Sequence, residues 1–567
     1  MKIPFFTQWE NSPAVPPPES ISRLQPPLEG VMHYHEETKH QAHRYARSMG
    51  YLDWDTQPNP FRRFEGAPVV RLPLLPIREV PLYGECFDPG AVVPEAVSVE
   101  SISRLFRNSL AISAWKRYQE TRWALRVNPS SGNLHPTEGY AILGGISDEL
   151  CAGVYHYASD EHALERRAIL THSTFETLMN GFPAGSFLVG LTSLPWREAW
   201  KYGERAYRYC QHDTGHALAA LRIAAAALGW QLVVLEELSD PDVAALLGLN
   251  RTADYHEAED EDPDLIAVVI PSQEPLSPET SLHSDTIKLV EAGDWQGHAN
   301  RLSSNHVEWN IIEEVALNSL KERTAVKMKS MPVSMPSLET HRVLSAEKIV
   351  QQRRSAVAFD GLTSITAQQF FHLLSRVSPA MTVIPFDALV RSELGMPRVH
   401  LAIFVHLVEG LDQGLYVLVR DPAKLPELKA AMHPRFVWIR PSGCPPELEL
   451  YGLEKADLRR ISAGVSCGQA IASDGAFSLG MIAEFETPIW TIGPWLYRRL
   501  FWETGIIGQV LYLEAEAAGI RATGIGCFFD DPMHEILGLK GRKFQSLYHF
   551  TMGGPVEDTR LTTEPPL

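Results

Sequence analysis

The sequence predicts an α+β protein made of two fused, similar domains, each a mixed sheet flanked by helices, and three observations lead there. At 567 residues the chain is too long for one hydrophobic core. Shifted by 290 residues it matches itself: Phe187 falls on Phe477, Gly190 on Gly480, Trp200 on Trp490, Tyr207 on Tyr497, Arg208 on Arg498, Thr214 on Thr504, Gly215 on Gly505 and Gly229 on Gly519. A shift of 261 aligns the earlier part, "GVYHYASDEHAL" on "GLYVLVRDPAKL", and within each half strand-like and helix-like segments interleave.

In chain order, residues 1–30 carry Pro13, Pro16, Pro17, Pro18, Pro26 and Pro27, which disfavour helix and sheet, so an extended arm is expected. The first domain is expected over 31–270. Its alternating segments "EGYAIL", "GVYHY" and "SFLVGLTSL" read as strands. The segment "GHALAALRIAAAALG" places Leu218, Leu221, Ala225 and Leu228 at helical spacing and stops at Gly229. A strand, "WQLVVL", and a short helix closing at "LLGL" follow. Residues 271–340 are rich in Pro, Ser and Thr and read as a linker with a helix near Val307 to Glu322. The second domain, 341–567, repeats the order with "RVHLAIFVHL", "GLYVLV", "AFSLGMIAEF", a helix "GIIGQVLYLEAEAAG" that stops at Gly519, the strand "RATGIGCFF" and a helix closing at "ILGL".

Composition narrows the function. A net charge of −18 argues against nucleic acid or an anionic membrane surface as partner, and an anionic cofactor would need a local cationic pocket. The acidic run "EAEDEDPD" reads as a solvated loop. Six cysteines, at 86, 151, 210, 444, 467 and 527, are widely spaced with no zinc pattern and read as buried free thiols of a reducing compartment. His33, His35, His156 and His162 lack a spacing that supplies a third ligand, so no metal is expected. The N-terminus lacks the apolar core of a signal peptide and no run approaches the roughly 18 residues of a membrane span, so a cytoplasmic location is expected.

Chemistry concentrates in a few stretches. "QQRRSAVAFDG" sets two arginines and a serine in a row, able to clamp a phosphate through guanidinium and hydroxyl groups. "ATGIGCFFDD" carries glycines on a strand, where backbone N–H groups can approach a flat or anionic ligand; it does not open a long helix and is no dinucleotide fingerprint. "RVNPSSGNLHPTEGY" places Pro129, Ser130, Ser131, Gly132 and Asn133 between two apolar segments.

Together these residues resemble the FMN-dependent nitroreductase superfamily, within it the SagB-like dehydrogenases and thiazole/oxazole-forming oxidases. The phosphate motif of that family is similar to "RRSAVAF", with Val357 departing from a frequent basic residue, and its Pro-Ser loop is similar to "PSSGNLHP". The resemblance covers roughly 104–248 and 349–555. It implies FMN, held between two subunits that are here fused into an intrachain pseudo-dimer. It implies Arg353, Arg354, Ser355 and Arg560 at the phosphate, Pro129, Ser130, Ser131 and Asn133 at the ring edge, and Gly524, Ile525 and Gly526 over the ring. The Pro-Ser loop survives only in the first half, its counterpart being "VRSELGMP" at 390–397. The Arg-Arg-Ser clamp survives only in the second, its counterpart being "RRFEGAP" at Arg62. One composite site and one FMN per chain are therefore expected.

"WKYGERAYR" matches a KYxxRxYR pattern of the azoline oxidases, which implies Lys201 and Tyr202 as catalytic groups. They align with Thr491 and Ile492 and so belong to the first half alone, whereas Trp200, Tyr207 and Arg208 recur and read as scaffold. A base beside the flavin suits a reaction that passes hydride to N5 and a proton to a side chain. The implied activity is azoline-to-azole oxidation on a small-molecule or peptide substrate, with a biosynthetic partner protein. An NAD(P)H-dependent nitro or quinone reductase and a flavin-free scaffold are the alternatives.

Overall fold

Apolar and aromatic side chains on both faces make the central strands buried throughout, and the computed structural model, which describes residues 26–277, 279–325, 344–389 and 397–566, gathers the strands into two principal sheets. The first half supplies β1 (Thr137–Leu143), β2 (Gly153–Ala158), β3 (Ala163–Ile169), β4 (Phe187–Ser193), β5 (Gln231–Val234) and β6 (Asp262–Ile270). The second supplies β7 (Val399–Val405), β8 (Gly414–Leu418), β9 (Leu450–Lys455), β10 (Phe477–Glu484), β11 (Arg521–Ile525) and β12 (Phe544–Gly553). Their orders are β3-β2-β1-β4-β6-β5 and β9-β8-β7-β10-β12-β11, the same topology twice.

Every pairing along these two paths is antiparallel, a correction to the mixed sheets expected from sequence. The strands joined by a long helical crossover, β4 and β5, do run parallel, but β6 inserts between them antiparallel to both. The later strand β12 does the same between β10 and β11. Apolar alternation records that a segment is a strand, not where a later strand inserts.

Four helices position the site: α1 (Pro195–Tyr202), α2 (Ala206–Ala227), α3 (Ala346–Gln352) and α4 (Leu496–Ala517). The long helices α2 and α4 pack on each other as the spine of the molecule. Where they cross, a Cβ on Gly215 would fall on the Trp502 carbonyl and one on Gly505 on the His212 carbonyl. Since 212 + 290 = 502 and 215 + 290 = 505, these contacts are images of each other, and glycine is needed for the close approach. Two buried ion pairs repeat the symmetry. Arg208 Nη1 meets Asp530 Oδ1 at 2.8 Å and Arg498 Nη2 meets Asp240 Oδ2 at 2.6 Å, with 208 + 290 = 498 and 240 + 290 = 530. Each helix thus gives an arginine to an aspartate of the opposite half, and losing either partner would strand a buried charge.

The segment after residue 271 is built into the first half. Its helix Ser284–Glu291 buries Ile287 and Val290, Asp294–Trp295 pairs with Ile169 and Ala168, and His298–Ala299 pairs with Phe64–Glu65. The helix Asn310–Asn318 packs against Pro27–Glu37. Residues 1–25 of the proline-rich arm and 326–340 of the linker lie outside the described residues. At the other end, Thr562–Glu564 of the second half pairs with Trp115–Arg117 of the first.

Candidate functional site

The Pro-Ser loop runs from a hairpin (Ile112–Tyr118 with Thr121–Arg126) into β1. Gly132 and Asn133 both take φ of 60°, the left-handed region that a Gly-Asn pair tolerates. The loop is held internally: Asn133 Nδ2 donates to the Ala124 carbonyl at 2.9 Å and Ser130 Oγ accepts from the His135 amide at 2.8 Å. Ser131 donates its backbone N–H and its Oγ to Asp213 Oδ1, both at 3.1 Å. Burial raises the Asp213 carboxyl, against the bonds from Ser130 and Ser131, to about 7. Sequence reasoning missed Asp213, although a single acidic residue inside the apolar helix α2 was the available signal.

From the second half, α3 delivers Arg353 at its C-cap, followed by Arg354 and Ser355. Arg353 is buried, with Nη2 donating to the Arg126 carbonyl at 3.1 Å and its guanidinium 5.0 Å from the Tyr512 ring centroid. Its Nε and Nη1 find no hydrogen-bond partner among the described residues. Arg354 lies beside it on Ser113, and burial together with the Arg353 and Arg521 charges pushes its guanidinium down to about 10. Burial lowers the Lys116 pKa, with Glu557 opposing and Arg354 and Arg521 adding to it, and Arg521 pairs with Glu557 at 2.5 Å, so four cations and a carboxylate gather at the junction of the halves, Lys116 and Arg521 unforeseen from sequence. Ser355 is exposed, its Oγ donating to Tyr512 Oη at 3.1 Å, and it bridges to Ala522 at the start of β11. Arg560 is exposed, with Nε and Nη2 on Asp558 at 2.8 and 2.7 Å.

Tyrosine rings connect the clamp to the loop. A Cβ on Gly524 would strike Tyr548, one on Gly526 would strike Tyr209, and one on Gly132 would strike Tyr202. The space a side chain would take at each of these glycines is therefore bordered by a tyrosine; Gly524 and Gly526 are the two expected over the ring. Tyr202 and Tyr209 lie 4.5 Å apart between centroids, and Tyr548 stacks on His212 at 4.1 Å. Arg353 of one half thus reaches Arg126, just before the Pro-Ser loop of the other, while Tyr548, Tyr209 and Tyr202 pack at Gly524, Gly526 and Gly132.

Lys201 and Tyr202 end α1, the Lys201 Nζ 5.3 Å from the Tyr202 ring centroid. Burial lowers the Lys201 pKa, with Glu198 opposing, and burial together with Glu198 and Tyr209 raises that of Tyr202 well above its usual value. Arg205 and Arg208, from the same motif, both bond to the buried Asp530 and hold the halves together.

The pseudo-symmetric position is filled differently. Since 234 + 290 = 524, 236 + 290 = 526 and 209 + 290 = 499, Val234 and Glu236 stand for Gly524 and Gly526, and Arg499 for Tyr209. Glu236 and Arg499 form a buried ion pair there, beside Asp240, Arg498 and Lys321. "RRFEGAP" is not its clamp, contrary to the expectation from sequence. Phe64 pairs with Ala299 on the outer face of the first sheet, Arg62 is bound to Glu261 at 3.1 Å, and Arg63 to Glu165 at 2.6 Å. Val99–Arg107 and Gly84–Phe87 pack on α2 as Ala367–Arg376 and α3 pack on α4, so the helix that leads into the clamp has its counterpart at 84–87, not at Arg62. The counterpart of the Pro-Ser loop, at 390–396, lies outside the described residues.

Among the described residues no group of three or more His, Cys, Asp or Glu could hold a metal, and no helix is long and apolar enough to cross a membrane. Residues 93–256 match the model of the Nitroreductase family. The trifolitoxin-processing protein TfxB of Rhizobium leguminosarum bv. trifolii is 32% identical over 152 residues, which are 24% of this chain and 40% of that protein. The crystal structure of a nitroreductase-like protein from Anabaena variabilis ATCC 29413 superposes with a TM-score of 0.67 at 21% identity, over 93% of this chain and 99% of that one. Over that span the chain shares the fold of this nitroreductase-like protein.

Proposed function

We propose that this chain, a nitroreductase-family oxidoreductase, depends on FMN bound once, at the composite site, and oxidises an azoline ring carried on a peptide during maturation of a natural product. The observation that carries the cofactor assignment is Arg353, a buried guanidinium with two N–H groups lacking partners among the described residues, set beside Arg354, Arg521 and Lys116. Buried charged donors are rarely left unpaired, and a phosphate dianion suits such a cluster. Arg353, Arg354 and Ser355 would hold the phosphate, with Arg560 at the rim. Pro129, Ser130, Ser131, Asn133, Gly524, Ile525 and Gly526 would border the ring, alongside the tyrosines. When bound, FMN supplies the two-electron acceptor.

The chain's own residues would handle the proton. A lowered pKa gives Lys201 a larger share of free amine able to accept it, and a raised one keeps the Tyr202 hydroxyl as donor, so Lys201 is the base and Tyr202 orients the substrate. The domain division proposed from the repeat is 31–270 and 341–567, with 271–340 between them.

Peptide maturation, and with it a biosynthetic partner protein, is supported by the processing role in the name of the relative, of which the chain spans 40%. The test is flavin content followed by incubation with an azoline peptide. Flavin absorbance and a mass loss of two hydrogen atoms per ring are expected. No flavin bands, even after FMN is added, would refute the cofactor; a flavoprotein that leaves the azoline intact would refute the substrate.

A further inference from the structure

The wide spacing of the cysteines reads Cys467 and Cys527 as buried free thiols; the structure keeps them free but leaves both partly exposed. The fold brings the two sulfurs to 2.9 Å although the residues are 60 apart in the chain. The intervening backbone is stapled: Gln469 Nε2 donates to the Ser466 carbonyl at 2.8 Å and to the Cys527 carbonyl at 2.9 Å, and the Phe529 amide donates to the Val465 carbonyl at 2.7 Å. Cys467 is held at φ 56°, a left-handed conformation uncommon for a residue other than glycine, which directs its side chain at Cys527. With 527 − 290 = 237, the opposite half has Glu237 in the place of Cys527, so this thiol stands only beside the candidate site, next to Gly526.

We propose that Cys467 and Cys527 form a reversible dithiol/disulfide couple that exchanges with small-molecule disulfides. This rests on the thiol geometry alone and does not require flavin. Cys527 donates its S–H to the Cys467 sulfur, and the adjoining Cys467 thiol with the Arg205 charge lowers the Cys527 pKa, so Cys527 loses its proton first and is the attacking thiolate. Its sulfur bonds to one sulfur of the incoming disulfide, whose other sulfur leaves as thiolate. Cys467, losing its proton, then attacks the Cys527 sulfur and displaces the second thiolate. The protein loses two electrons and two protons, and the small disulfide is reduced to two thiols.

The experiment equilibrates the full-length protein in oxidised or reduced glutathione, alkylates free thiols and maps them by mass spectrometry. Oxidised protein should lose two of its six alkylatable cysteines, as a single linkage between the peptides containing Cys467 and Cys527 that dithiothreitol reverses. In Cys467→Ser the resolving thiol is absent, so a glutathione adduct should accumulate on Cys527; in Cys527→Ser, Cys467 should take up at least 10-fold less. Full alkylation of both residues in wild-type protein under oxidising conditions would overturn the proposal, as would adducts in place of the internal linkage.

Discussion

Replacing Arg353 by Ala should separate cofactor affinity from stability, because this guanidinium is buried yet poorly satisfied. Removal takes away one charged hydrogen bond, to the Arg126 carbonyl at 3.1 Å, worth about 1.5–3 kcal/mol, and a cation–π contact with Tyr512 of about 0.5–2 kcal/mol. It also removes a desolvated charge whose Nε and Nη1 have no partners among the described residues, a penalty of about 1–3 kcal/mol for each group. The opposing contributions are of similar size, so without ligand the variant should lie within about 2 kcal/mol of the parent. Phosphate binding has no such offset. Loss of one charge-assisted bond of about 1.5–3 kcal/mol should weaken FMN roughly 10- to 150-fold. Flavin-fluorescence titration of the apoprotein, with urea unfolding in parallel, measures both. Unchanged affinity at unchanged stability would refute the phosphate assignment, and a stability loss beyond about 4 kcal/mol would make Arg353 a structural residue.

Lys201→Ala and Tyr202→Phe should leave FMN bound and reducible by dithionite while slowing substrate turnover by about 10²–10⁴; flavin loss in either variant would move that residue from proton transfer to cofactor binding. Extraction of flavin from a known amount of full-length protein should give one FMN per chain, and a ratio near two would mean that the Glu236–Arg499 position also binds. Stability should fall in alkali through His156. Burial alone would lower this imidazole, but Glu138 and Glu165 at 3.2 and 3.0 Å outweigh it and raise its pKa to about 9. A group raised above its unfolded value of about 6.5 contributes fully below that pH and loses its contribution as pH climbs through 9, here on the order of 3 kcal/mol. Urea midpoints between those pH values should decline in the parent and decline less in His156→Gln; parallel slopes would refute the linkage.

The repeated strands and the two glycine-stopped helices were legible because each signal is local: apolar period, then a C-cap. The antiparallel insertion of β6 and β12 was not, since sheet order is decided by contacts between distant segments. Arg353, Ser131 and Tyr202 could be read from motifs. Lys116 and Arg521 could not, because their neighbours lie far off in the chain, and Asp213 stood out only as a lone acid in an apolar helix, its partner Ser131 being 82 residues away. The tyrosines over Gly132, Gly524 and Gly526 show the same limit: a glycine announces close approach without naming what approaches. "RRFEGAP" misled by composition, since its arginines answer Glu261 and Glu165 on the far face of the sheet.

Fusion of the two halves has a physical consequence at the spine. In a dimer of identical chains every substitution enters both sites, so a glutamate at the Gly526 position would damage each of them. In this chain the positions are independent, and Glu236 occupies one without touching the other. Glu236 alone would be a buried carboxylate of high cost, and Arg499, where the other half keeps Tyr209, neutralises it. The Arg208–Asp530 and Arg498–Asp240 pairs, needed to hold α2 against α4, are retained on both sides. What the two halves share is therefore the interface, and what differs is the surface beside it: one side carries glycines and tyrosines, the other the Glu236–Arg499 ion pair. An interface that must stay symmetric to remain packed can in this way border two different surfaces.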